Sequence, residues 1–350
     1  MRQEFFGRTE ADEAVKKYRL KNSRGNEIVV SDYGCTLMEL WLEDKTGRKQ
    51  NVVLGYSDLE GYLRNTDFLG ACVGRFGGYI KQGRIRLNGR EYQLAITDGK
   101  NHLHGGKKGF DKYVWESCCE KNRICFFRTS PDGEENYPGN LKVQITYEFT
   151  DQDEIKLRYE AVSDQDTICN LTNHTYFNLD GRESQNILEH DLNLNAEWVQ
   201  KNNADGISDI GLFSVKNTAF DFRTTKQIGR DMFKQDKQLS YGHGYDHNYY
   251  IGRSGEMKKA AVLYSPKSGI EMSIFTNQSG IQLYSGNYLS GCAASGGNNP
   301  YGKYRGVCLE TQYCPSKAEQ QKGILYPVLE AGEKYVHETI FRFAIRNEER

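Results

Sequence analysis

The segment NLTNHTYFN, residues 170 to 178, carries many polar side chains where the flanking pattern predicts a half-buried strand. Alternate residues of an extended chain share a face, so Leu171 and Phe177 point one way and the polar side chains the other. The polar face comprises Asn170, Thr172, His174, Tyr176 and Asn178. Because an unpartnered buried polar group costs about 1 to 3 kcal/mol, this row must satisfy itself or bind water or a hydroxyl-rich ligand. The segment alone leaves open both a self-satisfied Asn/Thr ladder with a core histidine and a ligand site.

A second candidate is the carboxyl group of Glu310, in the segment GVCLETQ at residues 306 to 312. Val307 and Leu309 face one side of this apolar strand, and Glu310 faces the other. Burial raises the pKa of a carboxyl group and hydrogen bonds lower it, so a group in this balance is suited to act as a general base. A salt-bridged glutamate at a strand end is the alternative. Asp246, in YDHNYYI, poses the same two alternatives.

A third candidate is NHLHGG, residues 101 to 106, where His102 and His104 lie on one face of an extended segment. The glycines that follow allow another part of the chain, or a ligand, to approach the backbone closely. A His-x-His pair can also bind a metal, with a further ligand drawn from HGYDH at residues 243 to 247. The glycines within and beside that second segment disfavour the helix that would align its two histidines. We therefore predict neither a metal nor a cofactor.

Composition restricts the possible partners. The 350 residues are 37% hydrophobic and 27% charged, which is typical of a globular protein and sufficient for one large domain spanning residues 1–350. The formal net charge is −1, and lysines and arginines are scattered along the chain. Nucleic acid and anionic membranes require a basic patch, so we expect neither as a partner. A neutral small molecule fits this surface better.

Cysteine usage and hydropathy indicate the cellular location. The nine cysteines are an odd number without CxxC spacing, and Cys118 and Cys119 are adjacent, which suits reduced thiols. No run of residues approaches the ~18 apolar residues of a membrane helix, and the start MRQEFFGRTEADEAVKKYRL lacks the apolar core of a signal peptide. We therefore expect a cytoplasmic protein.

Period-two alternation dominates the elements that must position these residues. LKVQITYEF at 141 to 149 and IKLRYEA at 155 to 161 predict a hairpin, and Asn88-Gly89 predicts a type I′ turn in a second hairpin. Further hairpins are predicted around SRGN at 23 to 26 and NQSG at 277 to 280. Helical periodicity is weak and short, as at 57 to 64, so we predict an all-β protein. The Gly/Asn-rich stretches at 201 to 211 and 290 to 306 predict loops over a site.

Taken together, these segments resemble the aldose 1-epimerase (galactose mutarotase) family, in the family's order and over nearly the whole chain. The segments that carry the resemblance are SDYGCTLMELWLED, NVVLGYSDLEGYL, GACVGRF, NHLHGGKKGFDKYVWE, NLTNHTYFNLDG, TAFDFR, GYDHNYYI, SGIQLYSGNYLSG and LETQYCP. NHLHGG, TNHTYFNLDG and LETQ at these spacings form the specific part of the match. The resemblance implies the large antiparallel β supersandwich of that family, with a sugar bound in a groove across one sheet.

The resemblance also implies roles for individual residues. It makes Glu310 and His174 the catalytic pair, and His104, Asp246 and Gln282 sugar-binding residues. Mutarotation needs one group to take the proton of the C1 hydroxyl and another to protonate the ring oxygen, which suits a carboxylate and an imidazolium. The expected activity is interconversion of the anomers of free hexoses such as galactose and glucose.

The sequence departs from the family where GACVGRF is usually followed by an Asn-Arg pair that contacts sugar. Gly78 and Tyr79 occupy these positions, and a neutral phenol cannot form the two-pronged hydrogen bond of a guanidinium. Tyr79 is therefore expected at the sugar, and Arg75, two alternations away on the same face, is expected to compensate for the missing arginine.

Three other functions remain compatible with these motifs. One is a non-catalytic sugar-binding protein on the same fold. Another is a hexose 6-phosphate epimerase, which would need a basic cluster such as Lys303 and Arg305 in the groove. The third is an epimerase acting on the reducing end of a disaccharide, for which the 290 to 306 loop has a suitable length. The protein is expected to be a monomer or a homodimer.

Overall fold

The structure is a computed structural model that describes residues 1–289 and 301–346. Helices are short in this part of the chain. The α-helices are α1 Leu59–Leu63, α2 Gly229–Met232, α3 Lys237–Gly242 and α4 Lys317–Gln321. The carboxylate of Asp58 caps α1 by accepting a hydrogen bond from the backbone N–H of Gly61, which confirms the helix predicted at 57 to 64. No helix of the described residues is both long and apolar enough to cross a bilayer.

Strands form the bulk of the molecule. The first fourteen are β1 Arg2–Arg8, β2 Ala14–Lys21, β3 Glu27–Ser31, β4 Leu37–Glu43, β5 Lys49–Asn51, β6 Cys72–Val73, β7 Tyr79–Ile80, β8 Arg84–Leu87, β9 Arg90–Gln93, β10 His102–Leu103, β11 Glu116–Glu120, β12 Arg123–Ser130, β13 Leu141–Phe149 and β14 Glu154–Ser163. They are followed by β15 Thr167–Ile168, β16 Thr172–Asn173, β17 Tyr176–Phe177, β18 Asp191–Leu194, β19 Trp198–Asn202, β20 Ser208–Ser214, β21 Lys226–Gln227, β22 Asp246–Tyr250, β23 Lys258–Tyr264, β24 Ile270–Thr276, β25 Gly280–Tyr284, β26 Val307–Gln312, β27 Val328–Leu329 and β28 Lys334–Ile345.

Two large sheets dominate the fold. The nine-stranded sheet has the order β11-β12-β13-β14-β28-β24-β23-β18-β21, and the six-stranded sheet has the order β17-β26-β25-β22-β19-β20. A five-stranded sheet of β1 to β5 and several two-stranded pairs complete the described architecture. Neighbouring strands in the two large sheets run antiparallel. The predicted all-β class and antiparallel sandwich are confirmed.

The main core lies between the two large sheets. Val143 of the nine-stranded sheet and Leu309 of the six-stranded sheet belong to the same buried apolar cluster. The ring of Phe177 on β17 lies 5.4 Å from that of Phe341 and 6.4 Å from that of Phe343, both on β28. The inner face of the six-stranded sheet is thereby used for packing. Its other face is available for a ligand.

Most of the predicted hairpins are confirmed. Alternate residues of β13 are buried from Leu141 to Phe149, and β13 pairs with β14 as the alternation predicts. Asn88 and Gly89 both have positive φ angles, as a type I′ turn between β8 and β9 requires. The prediction around residues 277 to 280 is wrong. The strands on either side, β24 and β25, belong to different large sheets, so this turn carries the chain from one layer to the other.

Candidate active site

The free face of the six-stranded sheet presents two rows of side chains across its central strands. Directly paired residues of antiparallel strands share a face, as do residues two apart on one strand. The first row is Asn248, Gln282 and Glu310, and the second is Asp246, Tyr284, Cys308 and Tyr176. The pairing of β22, β25, β26 and β17 thus brings residues more than a hundred positions apart onto one surface.

Above this surface lies a cavity of about 320 Å³. Six of the seven residues predicted to act on a sugar line its wall: His174, Glu310, His104, Asp246, Gln282 and Tyr79. The seventh, Arg75, is not among the lining residues. The two loop predictions have different outcomes. Gly206 and Ser208, from the 201 to 211 stretch, line the cavity, but only residues 203 to 207 form a loop, since β19 ends at Asn202 and β20 begins at Ser208. Residues 290 to 300 lie outside the described residues.

His174 and Glu310 face each other within this cavity. The Nε2 atom of His174 lies 3.6 Å from Oε1 of Glu310, and the two residues are 5% and 3% exposed. The other carboxyl oxygen of Glu310, Oε2, has no hydrogen-bond partner in the described part of the chain. A buried oxygen without a partner is costly, so this atom is suited to accept a hydrogen bond from a ligand that enters the cavity.

Burial governs the charges of this pair. It raises the pKa of Glu310 well above the usual value, and the nearby carboxyl group of Asp246 raises it further. It also lowers the pKa of His174 to about 4. Both effects disfavour the charged forms because little water remains to solvate them. Burial therefore favours a neutral imidazole beside a protonated carboxyl group.

Asp246 and Gln282 form a second polar pair on the cavity floor. The Nε2 of Gln282 donates a hydrogen bond of 2.7 Å to Oδ1 of Asp246. Burial raises the pKa of Asp246 to about 7, and the bond from Gln282 offsets part of that rise. Asp246 therefore titrates close to neutral pH and can accept a hydrogen bond from a ligand hydroxyl group.

His104 completes the group of polar residues from above the sheet. Its Nδ1 accepts a 3.1 Å hydrogen bond from the backbone N–H of Gly78, and its ring centroid lies 5.3 Å from that of His174. Burial, and to a lesser degree His174, holds the pKa of His104 well below its usual value. A neutral ring that accepts at Nδ1 carries its hydrogen on Nε2, which is then a hydrogen-bond donor. His104 is followed by Gly105, where a Cβ atom would lie 1.7 Å from the carbonyl oxygen of Gly74.

The polar segment 170 to 178 combines the two interpretations that its sequence left open. Its side chains at 170, 174 and 176 line the cavity. Thr172 instead donates to the carbonyl oxygen of Thr311 at 2.9 Å, and Asn178 donates to that of Arg305 at 2.7 Å. The prediction of one continuous strand is wrong. β16 pairs with β6 and β17 pairs with β26, so the segment joins two different sheets and is interrupted at His174 and Thr175.

Comparison with known proteins agrees with this geometry. Residues 16–342 match the family model described as Aldose 1-epimerase. The chain belongs to the aldose 1-epimerase family. It is 39% identical over 334 residues to the galactose mutarotase of Rattus norvegicus, with 95% of each chain covered. It is 34% identical over 330 residues to the aldose 1-epimerase of Escherichia coli K12, covering 93% of this chain and 94% of that one.

Solved structures agree with the family assignment. The galactose 1-epimerase of Lactobacillus acidophilus NCFM superposes with a TM-score of 0.85 at 31% identity, covering 99% of both chains. An aldose epimerase homologue from C. elegans superposes with a TM-score of 0.86 at 28% identity, covering 95% of this chain and all of that one. The enzyme is therefore an isomerase that interconverts aldose anomers on a galactose mutarotase-like fold.

In this epimerase Tyr79 stands where the family's arginine is expected. Its ring lines the cavity, and its hydroxyl donates a 2.8 Å hydrogen bond to Oδ2 of Asp98. The phenol keeps its proton, because burial and the hydrogen bond to Asp98 raise its pKa. With its proton donated to Asp98, the phenol can offer a sugar only its ring and an acceptor oxygen.

The expectation that Arg75 compensates for the missing arginine needs correction. Arg75 is 2% exposed, and its guanidinium donates to the side chain and carbonyl oxygens of Ser130 and to the carbonyl oxygens of Pro131 and Pro138. These bonds hold the 130 to 138 segment and occupy the donors that a sugar would need. Arg75 and Tyr79 do not lie on one extended strand, because the backbone bends at Arg75 and again at Gly78, where φ is 92°, before β7 begins at Tyr79.

The histidine pairs also separate in the fold. His102 is fully buried beside Ala95 and Tyr137, and its Nδ1 lies 2.8 Å from the carbonyl oxygen of Ala95. Among the described residues, one cluster contains three side chains of the kinds that bind metals, namely His174, Cys308 and Glu310. That group contains the pair described above and not the His-x-His motif.

Several lining residues escaped the sequence analysis. They include Phe68, Asn248, Tyr284, Tyr288, Gln312 and Tyr313. Tyr284 lies two residues after Gln282 and Gln312 two after Glu310, so alternation from the known members would have found both. Phe68 has no such signal, since it lies in a loop with a φ of 56° and reaches the site because its ring packs 4.7 Å from that of His104.

Proposed function

We propose that the enzyme acts on free galactose and glucose by acid–base opening and closing of the pyranose ring, with Glu310 and His174 as the two proton carriers. The observation that carries this proposal is their position. They face each other at 3.6 Å across one cavity, and Oε2 of Glu310 has no partner among the described residues. The names of the relatives, several of them galactose mutarotases, support galactose as a substrate.

The proposed cycle conserves protons. The carboxylate of Glu310 takes the proton of the C1 hydroxyl while the imidazolium of His174 protonates the ring oxygen, and the C1–ring oxygen bond breaks to give an aldehyde. Rotation about C1–C2 presents the other face of the aldehyde, and the ring closes with the two roles exchanged. Each proton transfer accelerates the reaction by about 10²- to 10⁴-fold. Because neither oxidation nor group transfer occurs, two side chains suffice.

The raised pKa of Glu310 and the lowered pKa of His174 are compatible with this cycle. A protonated carboxyl beside a neutral imidazole contains as many protons as a carboxylate beside an imidazolium. The two forms differ by the transfer of one proton between Oε1 and Nε2, which lie 3.6 Å apart. Hydroxyl groups of a bound sugar would solvate the charged form, so the pair converts to it without exchanging protons with water.

The remaining polar residues fix the orientation of the sugar. We assign the Nε2–H of His104 as a donor to the ring oxygen or the C1 oxygen, since Nδ1 is already occupied by Gly78. Asp246 accepts from a hydroxyl group further round the ring, held in place by Gln282. Tyr79 contributes its ring to the wall. Such positioning supplies part of the catalysis by restricting the sugar to a reactive pose.

Polarimetry of freshly dissolved α-galactose and α-glucose tests this proposal. We expect the protein to accelerate the change in optical rotation above the spontaneous rate, and the His174→Asn variant to lose most of that acceleration. His190→Asn is a matched control, because His190 is also buried but lies outside the cavity lining. Sugar binding without acceleration would identify a non-catalytic sugar-binding protein instead.

The same assay with hexose 6-phosphates tests the phosphate alternative. Neither Lys303 nor Arg305 lines the cavity; Lys81 and Arg84 do, together with the acidic residues Asp67, Asp246 and Glu310. The relatives are named as galactose mutarotases and aldose 1-epimerases, so we expect no acceleration with the phosphorylated sugar.

We further propose a cytoplasmic location and a monomer or homodimer with no nucleic-acid partner. The eight cysteines within the described residues are all free thiols, which suits a reducing compartment. Cell fractionation and light scattering would test the two proposals separately.

A further inference from the structure

Cys308 lies directly behind the catalytic pair. It is fully buried on β26, two residues before Glu310 and on the same face of the sheet. Its strand partners are Tyr176 and Tyr284. Its Sγ lies 3.5 Å from Nδ1 of His174, whereas Oε1 of Glu310 lies 3.6 Å from the other ring nitrogen, Nε2.

We propose that Cys308 is a positioning residue whose sulfur accepts the Nδ1–H of His174 and so reserves Nε2 for proton transfer. This inference rests on the proposed function, because it concerns how His174 is prepared for that role. It also assigns a function to a thiol that the acid–base cycle itself does not use.

The demands of the cycle fix the direction of this hydrogen bond. Nε2 of His174 must gain and lose one proton in each turnover, because it is the nitrogen that faces Glu310. Nδ1 must then keep its hydrogen in both the neutral and the charged ring. A hydrogen retained on Nδ1 needs an acceptor, and the sulfur of Cys308 lies within hydrogen-bonding distance of it. Were the thiol to donate to Nδ1, the neutral ring would carry its hydrogen on Nε2 and could not accept a proton from Glu310 or the sugar.

The aromatic rings around His174 cannot make this selection. The rings of Phe68, Tyr176 and Tyr284 lie 5.8, 5.0 and 6.0 Å from the imidazole. Aromatic contacts restrict the plane of the ring but do not distinguish its two nitrogens. Sulfur is a weak acceptor, so it orients the ring without binding the imidazolium as strongly as a carboxylate would.

Three variants test the role of Cys308 in turnover. Cys308→Ala should lower kcat by about 10- to 100-fold with KM nearly unchanged, because the sugar contacts remain while the imidazole loses its orientation. The kcat of Cys308→Ser should be at least about threefold higher than that of Cys308→Ala, since a hydroxyl oxygen also accepts from Nδ1–H. Cys169→Ala, which removes a sulfur from the main core, is the control and should keep wild-type kcat. Turnover of Cys308→Ala equal to wild type would overturn the proposal.

Nitrogen-15 NMR provides a readout that a merely structural cysteine would not move. The His174 signals are identified by their absence from His174→Asn, and the shifts of the two ring nitrogens report which one carries hydrogen. We expect the Nδ1–H form in wild type and a mixture or the Nε2–H form in Cys308→Ala. An Nε2–H form in wild type would overturn the role of Cys308. Because this measurement needs no turnover, an inactive wild type would overturn the proposed function alone.

Discussion

Replacement of Glu310 by glutamine tests the acid–base mechanism directly, because it removes the proposed base. The carboxyl group is 3% exposed, and it faces Nε2 of His174 at 3.6 Å. Glutamine has nearly the same size and shape and keeps two polar atoms at the end of the side chain. Its amide cannot take a proton from the C1 hydroxyl. The cavity should therefore keep its form and lose its chemistry.

The expected loss is large for so small a change. Removing one member of a general acid–base pair costs about 10²- to 10⁴-fold in kcat, or about 3 to 5 kcal/mol of activation free energy. The stability of the folded protein should stay the same or increase, although kcat falls. Burial holds the folded-state pKa of Glu310 above its unfolded value, so the folded protein binds more protons and loses stability as pH rises from the unfolded pKa towards the folded one. Glutamine lacks this titration, and Glu310→Gln should melt at or above the wild-type temperature in mildly alkaline buffer.

Polarimetry with α-galactose and thermal unfolding measure the two effects on the same samples. Glu154→Gln is the matched control, because Glu154 is also buried but lies on β14, where its Oε1 accepts a 2.7 Å bond from Arg342. That variant should lose stability and keep turnover. A Glu310→Gln enzyme that retains more than about a tenth of wild-type kcat would refute the assignment of Glu310 as the base.

Three other predictions concern binding and stability. Burial raises the pKa of Asp246 to about 7, and the ionised carboxylate is the stronger hydrogen-bond acceptor. The KM for galactose, measured by initial-rate polarimetry, should therefore fall as pH rises between about 6 and 8. Asp246→Asn should show a higher KM without this step, and persistence of the step would assign it to another group. Arg75→Met should lower the free energy of unfolding, measured in urea, by about 3 to 5 kcal/mol, because buried oxygens lose their hydrogen bonds. KM should not change. A weaker sugar affinity in a variant of unchanged stability would contradict this structural role. Tyr79→Phe removes the bond to Asp98 but keeps the ring, so KM should change by less than about threefold, and a tenfold rise would mean that the phenol oxygen itself binds sugar.

The outcome for each site residue follows from how local its signal was. His174, Glu310 and Gln282 lie on or beside strands whose alternation already separated a polar face from an apolar one, and the structure brings all three to the cavity. Arg75 was placed by continuing the same alternation through Gly78, where the backbone bends with a φ of 92°. A period-two pattern holds only while the backbone stays extended. That residues 1–350 form a single domain remains a prediction.

The sequence by itself determined the antiparallel all-β class, most hairpin turns and the family, because these depend on short-range alternation, on turn residues and on motifs with fixed spacing. Only the tertiary structure decided which strands became neighbours. The pairing of Gln282 with Glu310, and of Tyr176 with Cys308, places side chains from distant parts of the chain on one floor. The fold also buries the two proposed proton carriers, Glu310 and His174, together, and burial shifts their pKa values in opposite directions. Desolvation depends on every residue that packs around a group, so the pKa shifts cannot be predicted from one sequence segment alone.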